Sequence, residues 1–303
     1  MSATKHRVSP PHTPTPSRTT GTVRGELARL GRRPRKRLGQ HFLADVAVAQ
    51  RIVDLARLSG AERVVEIGPG LGALTALLAR RARELWLVEV DADFAARLRR
   101  QYADAPHVHV VHADALRVDF ADLLGAGDPA VVVANLPYNV ATAILAALLE
   151  QHQCFARFVL MLQREVVDRL RATPGSHAYA ALSVYTQLAA RLLPGLRVGP
   201  GAFVPPPKVE SEVIVVEPYH TPPLDVGDVA TFKRIVRAAF NQRRKQLGNS
   251  LRAISADPVA LLHAAHIDPM RRPETLTLAE FAALSRKATN DQTAGDRRGK
   301  ATR

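Results

Sequence analysis

The stretch Val131-Val-Val-Ala-Asn-Leu-Pro-Tyr-Asn139 limits the fold more than any other. Three valines and an alanine in succession leave no polar face, so they read as a strand buried on both sides. The run stops abruptly at a polar turn. In open α/β sheets, ligands lie beyond the carboxyl ends of the strands. Asn135, Leu136, Pro137 and Tyr138 are therefore delivered together where a substrate would lie. Pro137 lacks an N–H and pushes Leu136 into an extended conformation, which frees the Leu136 carbonyl to face a ligand. Asn135 adds a side-chain oxygen as a second acceptor. Tyr138 adds a flat face for stacking. Two acceptors beside a stacking platform suit a flat heterocycle with an exocyclic amine. Taken alone, the tetrapeptide fits an ordinary Asn-x-Pro turn equally well.

The chain around it alternates strands and helices. Arg63-Val-Val-Glu-Ile-Gly-Pro-Gly-Leu-Gly72 is a strand entering a glycine-rich turn, and a helix begins near Leu74. Such a turn lets backbone approach a ligand, and the helix start supplies free N–H donors. Glu84 to Val90 is the next strand, with Glu89 near its end. The distance from Gly68 to Glu89 also matches a dinucleotide-binding unit, so NAD stays open on this feature alone. Further strands are expected at Val108–Val111, Arg157–Leu162 and Glu212–Glu217. Helices are expected at 45–58 with Asp45 as N-cap, at 140–149, at 163–170 and at Tyr179–Leu192. Together these predict an α/β sheet of about seven strands. His107, His109 and His112 crowd one strand, but alternation puts His112 on the opposite face and no cysteine is near, so no metal site is expected.

Charge is concentrated at the ends. Residues 1–37 hold ten Lys/Arg against Glu26, and residues 286–303 hold six against two acids, within a net +14. The body between is close to neutral, so nucleic-acid contact must come from local clusters. Residues 1–34 read as a disordered basic extension and 288–303 as a disordered basic tail. The run Arg35-Lys36-Arg37 is a candidate phosphate contact. Phe203-Val-Pro-Pro-Pro-Lys-Val209 is a stiff extended segment carrying Phe203. After a linker near 219–230, a helix from about Val229 to Leu247 has no acid. Arg234, Arg237 and Lys245 share one face with Asn241, and Arg243 and Arg244 lie beside them. A helix with a purely cationic outer face suits a phosphate rail. The single Cys154 excludes a disulfide framework and fits a reducing compartment. No signal-peptide core or membrane-length apolar run is present, so the expected site of action is the cytoplasm.

Taken in order, several pieces resemble the ribosomal RNA adenine N6-dimethyltransferase family, in particular its bacterial small-subunit branch. They are Leu38-Gly-Gln-His-Phe-Leu43, Glu66-Ile-Gly-Pro-Gly70, Glu89-Val-Asp91, Asp114-Ala115, Asn135-Leu-Pro-Tyr-Asn139, Leu162-Gln-Arg-Glu-Val166, the triple-proline segment and Phe240-Asn-Gln-Arg-Arg-Lys245. The resemblance implies a Rossmann-like methyltransferase domain over 35–220 and a small helical RNA-binding domain over 221–287. It implies S-adenosylmethionine as cofactor, with Gly68 and Gly70 against the methionine part, Glu89 on the ribose and Asp114 at the cofactor adenine. His41 and Leu43 would close over the cofactor, although many members carry Asn at the His41 position. Asn135 would border both cofactor and target amine, and Tyr138 and Phe203 would sandwich the target base. The implied partner is the small ribosomal subunit with its 16S rRNA, met by a monomer. Two rival readings are a large-subunit adenine methyltransferase and a non-catalytic assembly factor.

Overall fold

The computed structural model describes residues 20–34, 39–242 and 245–301 of the 303-residue chain. The elements run in order as follows. Helix α1 (Thr20–Arg29) precedes strand β1 (Phe42–Leu43), α2 (Val46–Leu55) and β2 (Arg63–Ile67). Then come α3 (Thr75–Leu78), β3 (Glu84–Glu89), α4 (Ala92–Gln101), β4 (Val108–His112) and α5 (Phe120–Leu124). They are followed by β5 (Ala130–Asn135), α6 (Ala141–Glu150), β6 (Phe155–Gln163), α7 (Arg164–Arg171) and α8 (Ala181–Ala189). Strands β7 (Ala190–Val198), β8 (Phe203–Val204) and β9 (Ser211–Pro218) complete the sheets. Helices α9 (Val229–Asn241), α10 (Leu247–Ser250), α11 (Pro258–Ala264) and α12 (Leu278–Ala301) end the chain.

The main sheet has seven strands in the order β4-β3-β2-β5-β6-β9-β7. Strands β2 to β6 pair in parallel, and β9 runs antiparallel to β6. The opening stretch is the centre of this sheet. Val131 to Ala134 are at most 4% exposed because β2 and β6 flank them, and Val131 and Val133 pack in one core with Ile52 and Val53 of α2 and Leu77 and Leu78 of α3. From β2 the chain goes on to β3 on one side, whereas β5 lies on the other. The carboxyl ends of β2 and β5 thus diverge into a crevice, the usual ligand position in such sheets. Residues Phe42–Leu43 form a separate two-stranded ribbon with Phe203–Val204.

The chain divides into two compact units, 1–164 with 193–217, and 165–192 with 218–303. The second unit is helical. Its core holds Tyr179, Phe232, Ile235, Val236, Leu247, Leu262 and Phe281.

Four expectations need correction. First, residues 20–29 are helical, where the sequence reads as disordered. Val23 and Leu27, one helical turn apart, are buried against Phe42, Leu71, Phe94 and Val204. Two apolar side chains carry little periodic signal, and tertiary packing supplies what propensity does not. Second, the expected disordered tail continues α12 as far as Ala301. Phe281, Leu284 and Ala288 anchor its first turns in the core, and an anchored helix propagates at low cost. Third, the helix expected to Leu192 stops at Ala189, and Ala190–Val198 becomes the seventh strand. It lies at the sheet edge, where Pro194 removes no ladder hydrogen bond needed by a second neighbour. Fourth, residues 165–192, expected within the methyltransferase domain, group with the helical unit, apart from the first residues of β7, which pair in the sheet.

Candidate active site

A cleft enclosing about 1150 Å³ of non-protein space, solvent at its mouth included, opens at the carboxyl ends of β2, β3, β4 and β5. Each strand brings at least one expected residue to it. Gly68 and Gly70 follow β2, Glu89 ends β3, Asp114 follows β4, and Asn135 ends β5. Their assembly follows from register. Ile67 lies beside both Val88 and Ala134, and Glu89 beside His112, so the four strand ends share one level.

The glycine-rich turn needs its glycines. Gly68 and Gly70 have φ of +66° and +54°, conformations that cost L side chains strain. A Cβ on Gly70 would come within 3.2 Å of the Phe42 ring, whereas one on Gly68 would point into open space. Glu89 is 4% exposed and held at both oxygens. Oε2 accepts from the Gly70 N–H and Oε1 from the Asp91 N–H, each at 2.9 Å. Burial pushes its pKa above the usual carboxylate range, opposed by these donors and reinforced by the neighbouring Asp91 charge. Asp114 is exposed at the cleft rim, and its Oδ1 accepts from the Leu116 N–H.

On the opposite wall, Asn135 Nδ2 donates to the His41 carbonyl at 3.1 Å. That bond fixes the amide and leaves Oδ1 as an acceptor. The Leu136 side chain is buried, which anchors the turn. The Pro137 carbonyl accepts from the Val140 N–H and closes the turn into α6. The Tyr138 ring is held at both ends. Its hydroxyl lies 2.5 Å from Ser211 Oγ, and its face stacks on the His41 ring with centroids 5.3 Å apart and planes 27° apart. Burial raises the Tyr138 pKa, so the phenol stays neutral. His41 Nδ1 donates to the Pro205 carbonyl at 2.8 Å. The His41 side chain therefore buttresses Tyr138, while its main chain holds Asn135.

Phe203 is the misplaced expectation. It is 2% exposed, sits in the main hydrophobic core and does not line the cleft. The pairing of Leu43 with Phe203 turns this ring inward. The stiffness of a proline-rich segment says nothing about which way its side chains face. In the structure His41, not Phe203, is the ring stacked on Tyr138. Leu43 reaches the cleft from the same ribbon.

The sequence reading also missed residues that line the cleft, among them Gly39, Gln40, Phe42, Phe94 and Asn139. Gly39 had a signal, since it stands in the Leu38-Gly-Gln-His-Phe-Leu43 motif, and its φ is +59°. A Cβ there would lie 2.7 Å from Asn139 Oδ1. Phe94 had none, because on a helix it reads as ordinary core. The three histidines of the β4 region have structural roles. His107 pairs with the Ala79 carbonyl, His112 with the Val90 carbonyl, and His109 packs on Trp86.

In the helical unit, Arg234, Arg237, Asn241 and Lys245 are all exposed, while Phe232, Ile235, Val236 and Ala239 are buried. The amphipathic division expected of α9 is present, with Asp228 as its N-cap. Arg35, Lys36, Arg37, Arg243 and Arg244 lie outside the described residues.

The cleft suits a nucleoside carrying a sulfonium side arm. Space at Gly68, an acid fixed toward the cleft and apolar walls of Phe42, Leu71, Leu74 and Phe94 fit S-adenosylmethionine. Comparison with known proteins agrees. The family model described as ribosomal RNA adenine dimethylase matches residues 31–289. Ribosomal RNA small subunit methyltransferase A of Geobacter metallireducens is 45% identical over 271 residues, covering 87% of this chain and 97% of that protein. The Pseudomonas aeruginosa protein of the same name is 42% identical, covering 84% and 94%. Among solved structures, a dimethyladenosine transferase from Plasmodium falciparum superposes with a TM-score of 0.66 at 21% identity, covering 80% of this chain and 96% of that one. The 23S rRNA methyltransferase ErmE superposes with 0.60 at 25% identity, covering 82% and 99%. With a family model spanning most of the chain and relatives above 40% identity along nearly their whole length, this chain belongs to the ribosomal RNA adenine dimethylase family.

Proposed function

We propose that the protein uses S-adenosylmethionine to dimethylate the N6 amines of two adjacent adenosines in a hairpin near the 3′ end of small-subunit rRNA. It acts in the cytoplasm on the small ribosomal subunit during its biogenesis. The observation that carries this reading is the fixed amide of Asn135, its Oδ1 free beside the clamped Tyr138 ring and across the crevice from Glu89. The amine of adenine is a weak nucleophile because its lone pair is delocalised into the ring. Accepting its N–H bonds at Asn135 Oδ1 and the Leu136 carbonyl favours a pyramidal, more nucleophilic nitrogen. S-adenosylmethionine supplies a methyl on a sulfonium leaving group, so positioning accounts for most of the rate. With it bound, the target nitrogen would take the methyl carbon as the carbon–sulfur bond breaks, and the alkylated nitrogen would lose its proton to water. Neutral Tyr138 serves as a stacking face, not as a base. The target base must leave its stack to reach it. A monomethylated amine keeps one N–H, so the same site can transfer a second methyl.

Identity above 40% to small-subunit enzymes, against 25% to a large-subunit one, favours the small subunit. The test is transfer of labelled methyl to unmethylated small subunits, with large subunits and methylated small subunits as controls. N6,N6-dimethyladenosine in unmethylated small-subunit RNA alone is the expected product. Label in large-subunit RNA would reassign the substrate. Tight binding without label would mark an assembly factor.

The exposed arginines of α9 supply the electrostatic part of RNA binding in this reading. Combined Arg234→Glu and Arg237→Glu should weaken small-subunit binding by about tenfold or more. The slope of log affinity against log salt should drop by about 1–2. Filter binding across salt concentrations reads both, and an unchanged slope would remove these residues from the RNA contact. Affinity for S-adenosylhomocysteine should not change.

A further inference from the structure

We propose that Arg32 is a positioning residue for the cofactor, part of an N-terminal brace that holds the ribose-binding acid from behind. The proposal rests on the reading of the cleft as an S-adenosylmethionine site. The brace begins before residue 31, where the family match starts, and Arg32 lies just inside it.

Three contacts tie this segment to the cofactor wall. The first is apolar. Val23 and Leu27 are buried in a cluster with Phe42, Leu71 and Phe94, and those three residues also line the cleft. Phe42 and Phe94 meet edge to face at 5.7 Å. The second is ionic. Glu26 pairs with Arg97 at 3.5 Å, and Arg97 donates to the Leu71 carbonyl in the glycine-rich turn at 3.2 Å.

The third contact reaches the acid itself. Arg32 Nη2 bonds both oxygens of Asp91 at 2.8 and 2.6 Å, and Nη1 pairs with Asp93 at 2.7 Å. Asp91 is 5% exposed, and its backbone N–H is one of the two donors that hold Glu89. A continuous path therefore runs Arg32, Asp91, Glu89, Gly70. Glu89 and Asp91 are two buried carboxylates only two residues apart. Removing the Arg32 cation strengthens their repulsion, which favours opening of the turn or protonation of Glu89. Either event changes the carboxylate that faces the ribose. A planar guanidinium that holds Asp91 with Nη2 and Asp93 with Nη1 fixes direction as well as charge, which a single ammonium nitrogen does less well.

The test is the affinity of the full chain for S-adenosylhomocysteine by calorimetry, beside methyl-transfer kinetics and thermal melting. Arg32→Ala should weaken S-adenosylhomocysteine binding about tenfold, in line with the loss of an outer partner of a ligand-holding group. KM for S-adenosylmethionine should rise by a similar factor while kcat stays within about twofold. Arg32→Lys should recover part of the loss. Adding Asp91→Asn to Arg32→Ala should recover part of it too, because a neutral amide still caps α4 and needs no cation. If Arg32→Ala lowers the melting temperature but leaves affinity and KM unchanged, Arg32 only staples the chain end and the proposal fails. If Arg32→Ala fails to fold, Leu27→Ala tests the same brace through its apolar contact, and unchanged affinity there overturns the proposal. If the unaltered protein does not bind S-adenosylhomocysteine, the reading of the cleft fails instead.

Discussion

Asn135→Ala is expected to slow methyl transfer by about 10²–10³-fold or more while S-adenosylhomocysteine affinity stays within severalfold. The asymmetry follows from what the side chain touches. Nδ2 is spent on the His41 carbonyl, which fixes the amide and leaves Oδ1 to accept, on a residue that lines the cleft. In the proposed reading the substitution removes the acceptor that orients the target amine and sharpens its lone pair. The acid and the glycine turn assigned to the cofactor in that reading are untouched, because they hang on β2 and β3. Asn135 is only half-buried, so the lost hydrogen bond costs about 1 kcal/mol of stability and the fold survives. Asn135→Asp is the sharper control. A carboxylate has no proton to give the His41 carbonyl, so two acceptors face each other and the turn must move. Single-turnover transfer at saturating cofactor, beside calorimetric affinity, separates the two quantities. Equal loss of both would place Asn135 on the cofactor and not on the amine.

The sequence made the centre of the sheet legible because burial on two faces leaves a continuous apolar run. The same physics put Asn135 at its end, since a proline two residues later ends regular pairing. Glu89 could be placed because strand length and helix length fix how far apart two neighbouring strand ends fall. Other features depend on partners distant in the chain. Val23 and Leu27 are two apolar residues in a basic stretch, and only the surface formed by Phe42, Leu71 and Phe94 makes them a helix face. Strand β7 carries Pro194 and Gly195, which read as a breaker until an edge position is known. Gly195 is needed there, because a Cβ would meet the Val213 carbonyl oxygen in the neighbouring strand. Phe203 shows a third kind of limit. Phe203 and Val204 are extended as expected, but the direction of the ring depends on the register with Leu43, and one residue of shift would reverse it. His41 likewise gave its main chain to the expected site while its ring went to Tyr138.

Glu89→Gln should reduce cofactor affinity by about tenfold or more, and it tests the acid that the Arg32 path supports. A carboxylate offers acceptors on both oxygens, and here each oxygen already takes one backbone N–H. The remaining lone pairs are those available to ribose hydroxyls. Glutamine presents one oxygen and one NH2. Whichever way the amide turns, its NH2 faces a buried N–H donor, from Gly70 or from Asp91. One buried donor left without an acceptor costs about 1–3 kcal/mol of stability, in the free and the bound protein alike. For binding, the substitution removes the charge that strengthens a bond from a ribose hydroxyl, worth about 1–2 kcal/mol. The pH dependence separates the carboxylate from its surroundings. Burial raises the Glu89 pKa, and the protonated acid is the weaker acceptor. Affinity of the unaltered protein should therefore fall on acidification from a higher pH than an ordinary glutamate would require, and Glu89→Gln should be flat over that interval. Folding moves the other way. A raised pKa means that the folded state takes up the proton more readily than the unfolded chain, so protonating Glu89 does not itself destabilise the protein. A loss of binding without a loss of melting temperature, present in the unaltered protein and absent in Glu89→Gln, is thus the signature of an ionised Glu89 on the cofactor. A loss that persists unchanged in Glu89→Gln would mean that another group titrates, with the exposed carboxylate of Asp114 at the cleft rim the next to substitute.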